Sequence, residues 1–233
     1  MSEDSNNLSS YQYTPSDIGR LLQCALTPSL LGIAEGSYER YSYNGAEVGD
    51  KDDANTTIHR IGTRYVLPAV YCHKDPEKAL LEVLKCFFEY EEHNPEDATE
   101  IIIPYNCLPV KSKNSSGHWY TVRILIHSDE NNVASKRATV LYYDSLPFHP
   151  DGPLGKVLEY LLQRGYSHDY KTFFRFGLRQ SDAVSCGPLT VETIKSLCRG
   201  ETLISLNVSK EDGIRYKKAH RDVLKAQGYE LDF

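Results

Sequence analysis

Gln180-Ser181-Asp182-Ala183-Val184-Ser185-Cys186-Gly187-Pro188-Leu189-Thr190 is the most informative stretch of the chain. Beyond Cys186, the apolar residues Leu189, Val191, Ile194 and Leu197 recur at spacings that suit one face of a helix. Cys186 therefore stands at or just before the first turn of that helix. The unpaired amide N–H groups and the positive end of the macrodipole there favour a thiolate over a thiol. Gln180 lies six residues upstream across a loop, placed to bring a side-chain N–H next to the same sulfur. One nucleophile and one oxyanion donor thus fall within eleven residues.

Composition narrows the classes to which such a site could belong. With 233 residues the chain can bury a sizeable core. The reading is a flexible N-terminus over 1–13 and one catalytic domain over 14–233. A net charge of −6 argues against nucleic acid or an anionic membrane surface as partner. No apolar run reaches the length of a membrane span. The opening MSEDSNNLSS has neither the basic nor the apolar part of a signal peptide, and no Gly follows Met1 for myristoylation. A cytosolic setting is expected.

The six cysteines, at 24, 72, 86, 107, 186 and 198, include no CxxC pair. Neither a disulfide framework nor zinc-ligand spacing is indicated. Histidines 59, 73, 93, 127, 149, 168 and 220 do not cluster with acids or thiols, so no metal and no cofactor is expected.

Along the chain, Thr14-Pro15-Ser16-Asp17 has the form of a helix start, with Ile18, Leu21, Leu22 and Ala25 as its apolar face. Pro28 interrupts it. From Glu35 to Thr57 the composition turns to Gly, Asn and Asp around Tyr38, Tyr41 and Tyr43. This reads as a loop or adaptable surface, with the three tyrosines as binding candidates. Residues 65–71 and 100–105 read as strands, the second ended by Pro104, and a helix capped by Asp75 separates them. Residues 118–126 and 137–144 form an antiparallel pair joined by a polar turn over 127–136. A helix over 154–162 is closed by Gly165, and Thr172–Phe176 is a further strand. The last helix, 209–227, turns Ile214, Tyr216, Ala219, Val223 and Leu224 inward, with the Lys and Arg near 215–221 as its solvated face. Strands in the middle and helices at both ends make the class α+β.

The strand pair supplies what Cys186 lacks. His118 begins one strand and Asp144 ends its antiparallel neighbour, so both fall at the same sheet edge. Asp144 then accepts from one imidazole nitrogen while the other faces the thiol, the base-and-orienter arrangement of a Cys-His-Asp triad.

His118-Trp119, Tyr143-Asp144-Ser145, Gln180 and Cys186-Gly187, in that order, resemble the signature of the Ulp/SENP ubiquitin-like proteases of peptidase clan CE. In character the chain looks most like bacterial effector deubiquitinases of the SseL and ElaD types. The resemblance covers about residues 99–200. It implies a papain-like α+β fold of the Ulp/adenain type, a central mainly antiparallel sheet with flanking helices. It implies His118 as base and then acid, Asp144 as its orienter, Cys186 as nucleophile and Gln180 in the oxyanion hole. Trp119 and Gly187 would line a narrow channel for a Gly-Gly tail, since only glycine fits where a flat wall is all there is to grip it.

The implied activity is cysteine isopeptidase cleavage of ubiquitin or a ubiquitin-like modifier through a thioester. An effector-type member would act in a host cytosol after secretion. Three features depart from the pattern: the turn over 127–136 is longer than in compact members, Ser185 replaces a common acidic or amide residue, and the N-terminal substrate-binding motif of eukaryotic members is not recognisable. Residues 36–58 would fit the variable substrate-recognition region of bacterial members. Asp50, Asp52, Asp53 and Asp182 are candidates to read the Arg before the Gly-Gly of ubiquitin. Two other readings of the same residues are a YopJ-type acetyltransferase and an inactive modifier-binding module. Trp119 and the Asp orienter favour the protease over the first, and the intact His-Asp-Gln-Cys set argues against the second.

Overall fold

The computed structural model describes residues 10–42, 56–71, 75–89, 95–107, 117–129, 132–146, 154–168, 178–182, 184–201, 203 and 206–229. The chain begins with α1 (Pro15–Ala25), α2 (Pro28–Leu31), β1 (Tyr38–Ser42), β2 (Thr57–Ile61), β3 (Arg64–Val66), β4 (Val70–Tyr71) and α3 (Pro76–Glu89). It continues with β5 (Glu100–Cys107), β6 (His118–Asp129), β7 (Asn132–Tyr143), α4 (Leu154–Gln163), β8 (Tyr166–His168) and β9 (Leu178–Gln180). It closes with α5 (Cys186–Cys198), β10 (Leu206–Val208) and α6 (Lys210–Ala226).

Ile, Val, Thr and Tyr dominate β5 to β7, and such side chains suit a pleated surface. These strands centre a sheet ordered β1-β2-β3-β5-β6-β7-β8, with β4 also on β5. The pairs β1–β2, β2–β3, β5–β6 and β6–β7 are antiparallel, while β3–β5, β4–β5 and β7–β8 are parallel. β9 and β10 form a separate parallel pair.

Alternation along β6 divides the interior in two. Tyr120, Val122 and Ile124 pack with Leu80, Leu84 and Phe87 of α3 and Val157 and Leu161 of α4. Trp119 joins the opposite core, with Ile18 and Leu22 of α1, Cys186, Val191 and Ile194 of α5, and Leu224 of α6. Each fully buried aliphatic side chain contributes about 1.5–3 kcal/mol. The fold is α+β, a central mixed sheet flanked by helices. Among the described residues, no helix is long and apolar enough to cross a membrane.

Several elements follow the sequence closely. Thr14 caps α1 in a capping box with Asp17, Pro15 opens the helix, and Lys78 N donates to Asp75 Oδ1 at 2.9 Å where α3 starts. Others differ. The polar segment 127–136 is not a long turn, because β6 runs to Asp129 and β7 starts at Asn132, with Ser128 opposite Lys136. His127, Ser128 and Arg137, at the far ends of these strands, are exposed.

Within 36–58, β1 and β2 pair from Tyr38↔Ile61 to Ser42↔Thr57, and Glu39, Arg40 and Ser42 point to solvent. An edge strand exposed on both faces carries too few apolar residues to stand out in sequence. Residues 43–55, and with them Tyr43, Asp50, Asp52 and Asp53, lie outside the described residues, as do Thr172–Phe176.

Pro104 does not end β5. It sits at the level where β3 has stopped and β4 has yet to begin, so its missing N–H falls at a gap in the ladder. The expected strand over 65–71 is accordingly two short strands. Of the segment 1–13, Tyr13 is not loosely held but only 6 % exposed. The inward face of α6 is Gly213, Lys217, His220 and Leu224, whereas Ala219 and Val223 are exposed.

Candidate active site

Cys186 is the first residue of α5, after Ser185 at the N-cap. Its N–H is one of the first-turn amides that have no carbonyl one turn back to bond. Asp182 shapes the loop that delivers it. Asp182 Oδ1 accepts from Val184 N at 2.9 Å and from Ser185 N at 2.8 Å, and Oδ2 accepts from Ser185 Oγ at 2.7 Å. The Ser185 hydroxyl is thereby turned away from helix capping. Gly213 of α6 packs on this loop so closely that a Cβ there would lie 2.2 Å from Ser185 Oγ.

His118 opens β6 and Asp144 follows β7. Thr121 pairs with Tyr143, so one further step places Asp144 opposite Tyr120, two residues from His118. That diagonal lies within side-chain reach. His118 Nε2 and Asp144 Oδ1 are 2.6 Å apart. Asp144 Oδ1 also accepts from Leu146 N at 2.8 Å, in an Asx turn that fixes the carboxylate. Asp144 Oδ2 is buried and has no hydrogen-bond partner among the described residues.

Since Nε2 is engaged with Asp144, Nδ1 is the nitrogen left for Cys186, which lies near enough to raise the His118 pKa. Burial alone would lower the His118 pKa. The bonds and charges of Asp144 and Cys186 outweigh it and hold the group at about 9. A carboxylate-oriented imidazole facing a thiol at a helix start can transfer protons and activate a nucleophile.

Gln180, at the end of β9, joins the two halves of the site. Its Oε1 accepts from Ser145 Oγ at 2.6 Å, its Nε2 donates to Asp182 O at 2.5 Å, and its backbone N donates to Ser145 O at 3.0 Å. The side-chain amide keeps one further N–H. Trp119 is 2 % exposed, its ring stacks on Tyr71 at 6.4 Å between centroids, and its Nε1 donates to Tyr13 O at 2.8 Å. Gly187 is equally enclosed, since a Cβ there would lie 2.7 Å from Tyr13 Cβ. The expected channel residues are thus both covered by Tyr13.

The structure brings His118, Asp144, Gln180 and Cys186 together and leaves Tyr38 and Tyr41 apart from them. Both tyrosines lie on β1 at the sheet edge, with β2, β3 and β5 between them and β6. Tyr38 OH contacts His59 Nδ1 at 2.9 Å, and Tyr41 OH bonds Glu39. Among the described residues, no group of three His, Cys, Asp or Glu could hold a metal ion.

Sequence reasoning overlooked Gly213, Lys217 and Tyr13 at this site, gave Ser145 no role beyond its place in the motif, and named Asp182 only as one of four candidates to read the substrate's Arg. Only Asp182 had a local signal, an Asp two and three residues ahead of the N–H groups it accepts from. The opposite end of α5 is anchored as well. Arg64 Nη1 donates to Cys198 O at 2.7 Å, while its Nε bonds Glu100, which also binds Arg123. Burial pushes the Cys198 thiol up to about 12, which leaves it unreactive.

No protein-family model matches the chain, and no curated protein matches it in sequence. Solved structures similar to it include the SUMO protease Ulp1 with its catalytic cysteine oxidised to a sulfenic acid. The identity is 16 %, 70 % of each chain is covered and the TM-score is 0.46. The Legionella pneumophila effector protein RavZ matches at 15 % identity over 99 % of this chain and 72 % of its own, with a TM-score of 0.49. RavZ in complex with human LC3B matches at 15 % identity over 93 % and 65 %, with a TM-score of 0.45.

Proposed function

We propose that the protein is a cysteine isopeptidase that removes ubiquitin or a ubiquitin-like modifier from its conjugates. The observation that carries this reading is the 2.6 Å contact between His118 Nε2 and Asp144 Oδ1, on an imidazole whose pKa the nearby Cys186 also raises. In this mechanism the Cys186 thiolate attacks the carbonyl carbon of the modifier's last residue. The oxyanion that forms is held by the Cys186 N–H and the free N–H of Gln180. His118 then protonates the departing amine, which leaves a thioester on Cys186. His118 next takes a proton from water, whose attack releases the modifier's carboxylate and restores the thiol. Gly-Gly specificity and a place for Trp119 along the tail come from the motif resemblance.

The test is a panel of thiol-reactive C-terminal probes of ubiquitin, SUMO, NEDD8 and LC3B, run beside Cys186→Ala. One or more probes should form an adduct with the native chain and none with the variant. An adduct that survives the substitution would place the nucleophile elsewhere. No adduct with any probe, together with acetyl transfer from acetyl-CoA, would favour the acetyltransferase reading.

A further inference from the structure

Lys217 is the charged group of the site that the mechanism above leaves unused. It lies on α6, one turn beyond Gly213, on the face that covers the nucleophile loop. The residue is 1 % exposed. Its Nζ donates to Tyr11 O at 2.8 Å, and among the described residues it forms no ion pair with a carboxylate. Burying an ammonium is costly unless other charge offsets it. Burial indeed lowers its pKa, and the two groups that oppose this are Asp182 and Cys186. Both belong to the loop that presents the thiol.

The loop creates an electrostatic conflict that a cation at this position resolves. Asp182 accepts from the Val184 and Ser185 amides, and a carboxylate four residues from Cys186 disfavours a second negative charge on sulfur. We propose that Lys217 is a positioning residue of the nucleophile: its buried ammonium offsets the Asp182 carboxylate and favours the ionised form of Cys186. Resting as it does on Cys186 being the nucleophile, the proposal adds a second cation to His118, supplied from the opposite side of the loop. The other charged and titratable groups around Lys217 are His220, bonded to Glu192 of α5, then Lys195 beside Glu192, and Tyr11, Tyr13 and Asp17 at the start of α1. Glu192 already pairs with Lys195 and His220, whereas the Asp182 carboxylate bonds only the neutral donors of Val184 and Ser185 and forms no ion pair among the described residues.

The experiment measures the rate of Cys186 alkylation by iodoacetamide against pH in the full chain, followed on the peptide that contains it. Lys217→Gln keeps a donor for Tyr11 O and removes the charge. It should move the midpoint of the profile upward by about one pH unit, the order expected for loss of one nearby charge. Lys217→Arg should leave the midpoint in place. A folded Lys217→Gln with an unmoved midpoint overturns the proposal while leaving Cys186 as nucleophile.

If Lys217→Gln does not fold, Lys217→Met decides, since it keeps the length of the buried side chain and removes the charge. An upward move supports the proposal and an unchanged midpoint overturns it. Cys186 alkylating no faster than Cys198 in the native chain would overturn both this inference and the reading on which it rests.

Discussion

Asp144 gives one oxygen to two donors, His118 Nε2 and the Leu146 amide, so its geometry is fixed from the backbone as well as from the base. Its carboxylate is also the largest influence raising the His118 pKa against burial. Asp144→Asn should therefore cost about 10²–10⁴ in kcat, through loss of tautomer control and of imidazolium stabilisation. The same variant tests a pH dependence. With a folded pKa of about 9 against an ordinary 6.5, His118 contributes stability that is complete below pH 6.5 and is lost as pH rises through 9. The stability advantage of the native chain over Asp144→Asn, measured by urea denaturation, should shrink across that window. A constant difference would mean that His118 does not hold its proton in the folded state. These residues were legible in sequence because each chemical type is scarce in such a setting and their order is informative. Lys217 was not legible. Its neighbours Lys218 and Arg221 made it look like part of a solvated face, and only the packing of α6 on the loop reveals its burial.

The helix that begins at Cys186 is held at both ends by elements that sequence periodicity does not connect. Arg64 bonds the Cys198 carbonyl, where the helix dipole favours a cation, and Gly213 admits the Asp182–Ser185 turn at the N-terminal end. Gly213 has no positive φ to explain it, so what it provides is space. Gly213→Ala should displace Ser185 Oγ from Asp182. Overpacking costs about 1–3 kcal/mol, only partly offset by up to about 1 kcal/mol of helix propensity. Turnover should fall with it. Gly155→Ala in α4, where an added Cβ meets nothing within 4 Å, should be neutral or stabilising in the same denaturation assay. Helices and central strands were legible from their period. The edge hairpin β1–β2 and the far ends of β6 and β7 were not, because strand ends that face water carry the composition of loops.

The three parts of the site come from distant stretches of chain, and the segment before α1 laces them together. Tyr13 O accepts from Trp119, the Tyr13 ring covers Gly187, Tyr13 OH meets His220 Nδ1 at 2.9 Å, and Tyr11 O receives Lys217. Contacts that span 207 positions in the chain leave no mark on a local pattern, which is why this segment read as a flexible tail. Tyr13→Phe removes only the hydroxyl contact and should cost about 1 kcal/mol. Tyr13→Ala removes the buried ring that packs beside Gly187 and should cost about 3–5 kcal/mol by urea denaturation. The two variants also separate bracing from obstruction. If Tyr13 braces the site, probe labelling of Cys186 in folded Tyr13→Ala should slow. If it blocks the channel lined by Trp119 and Gly187, labelling should accelerate as stability falls. The number of bonds that converge on this one segment favours bracing, so slower labelling is the expected outcome.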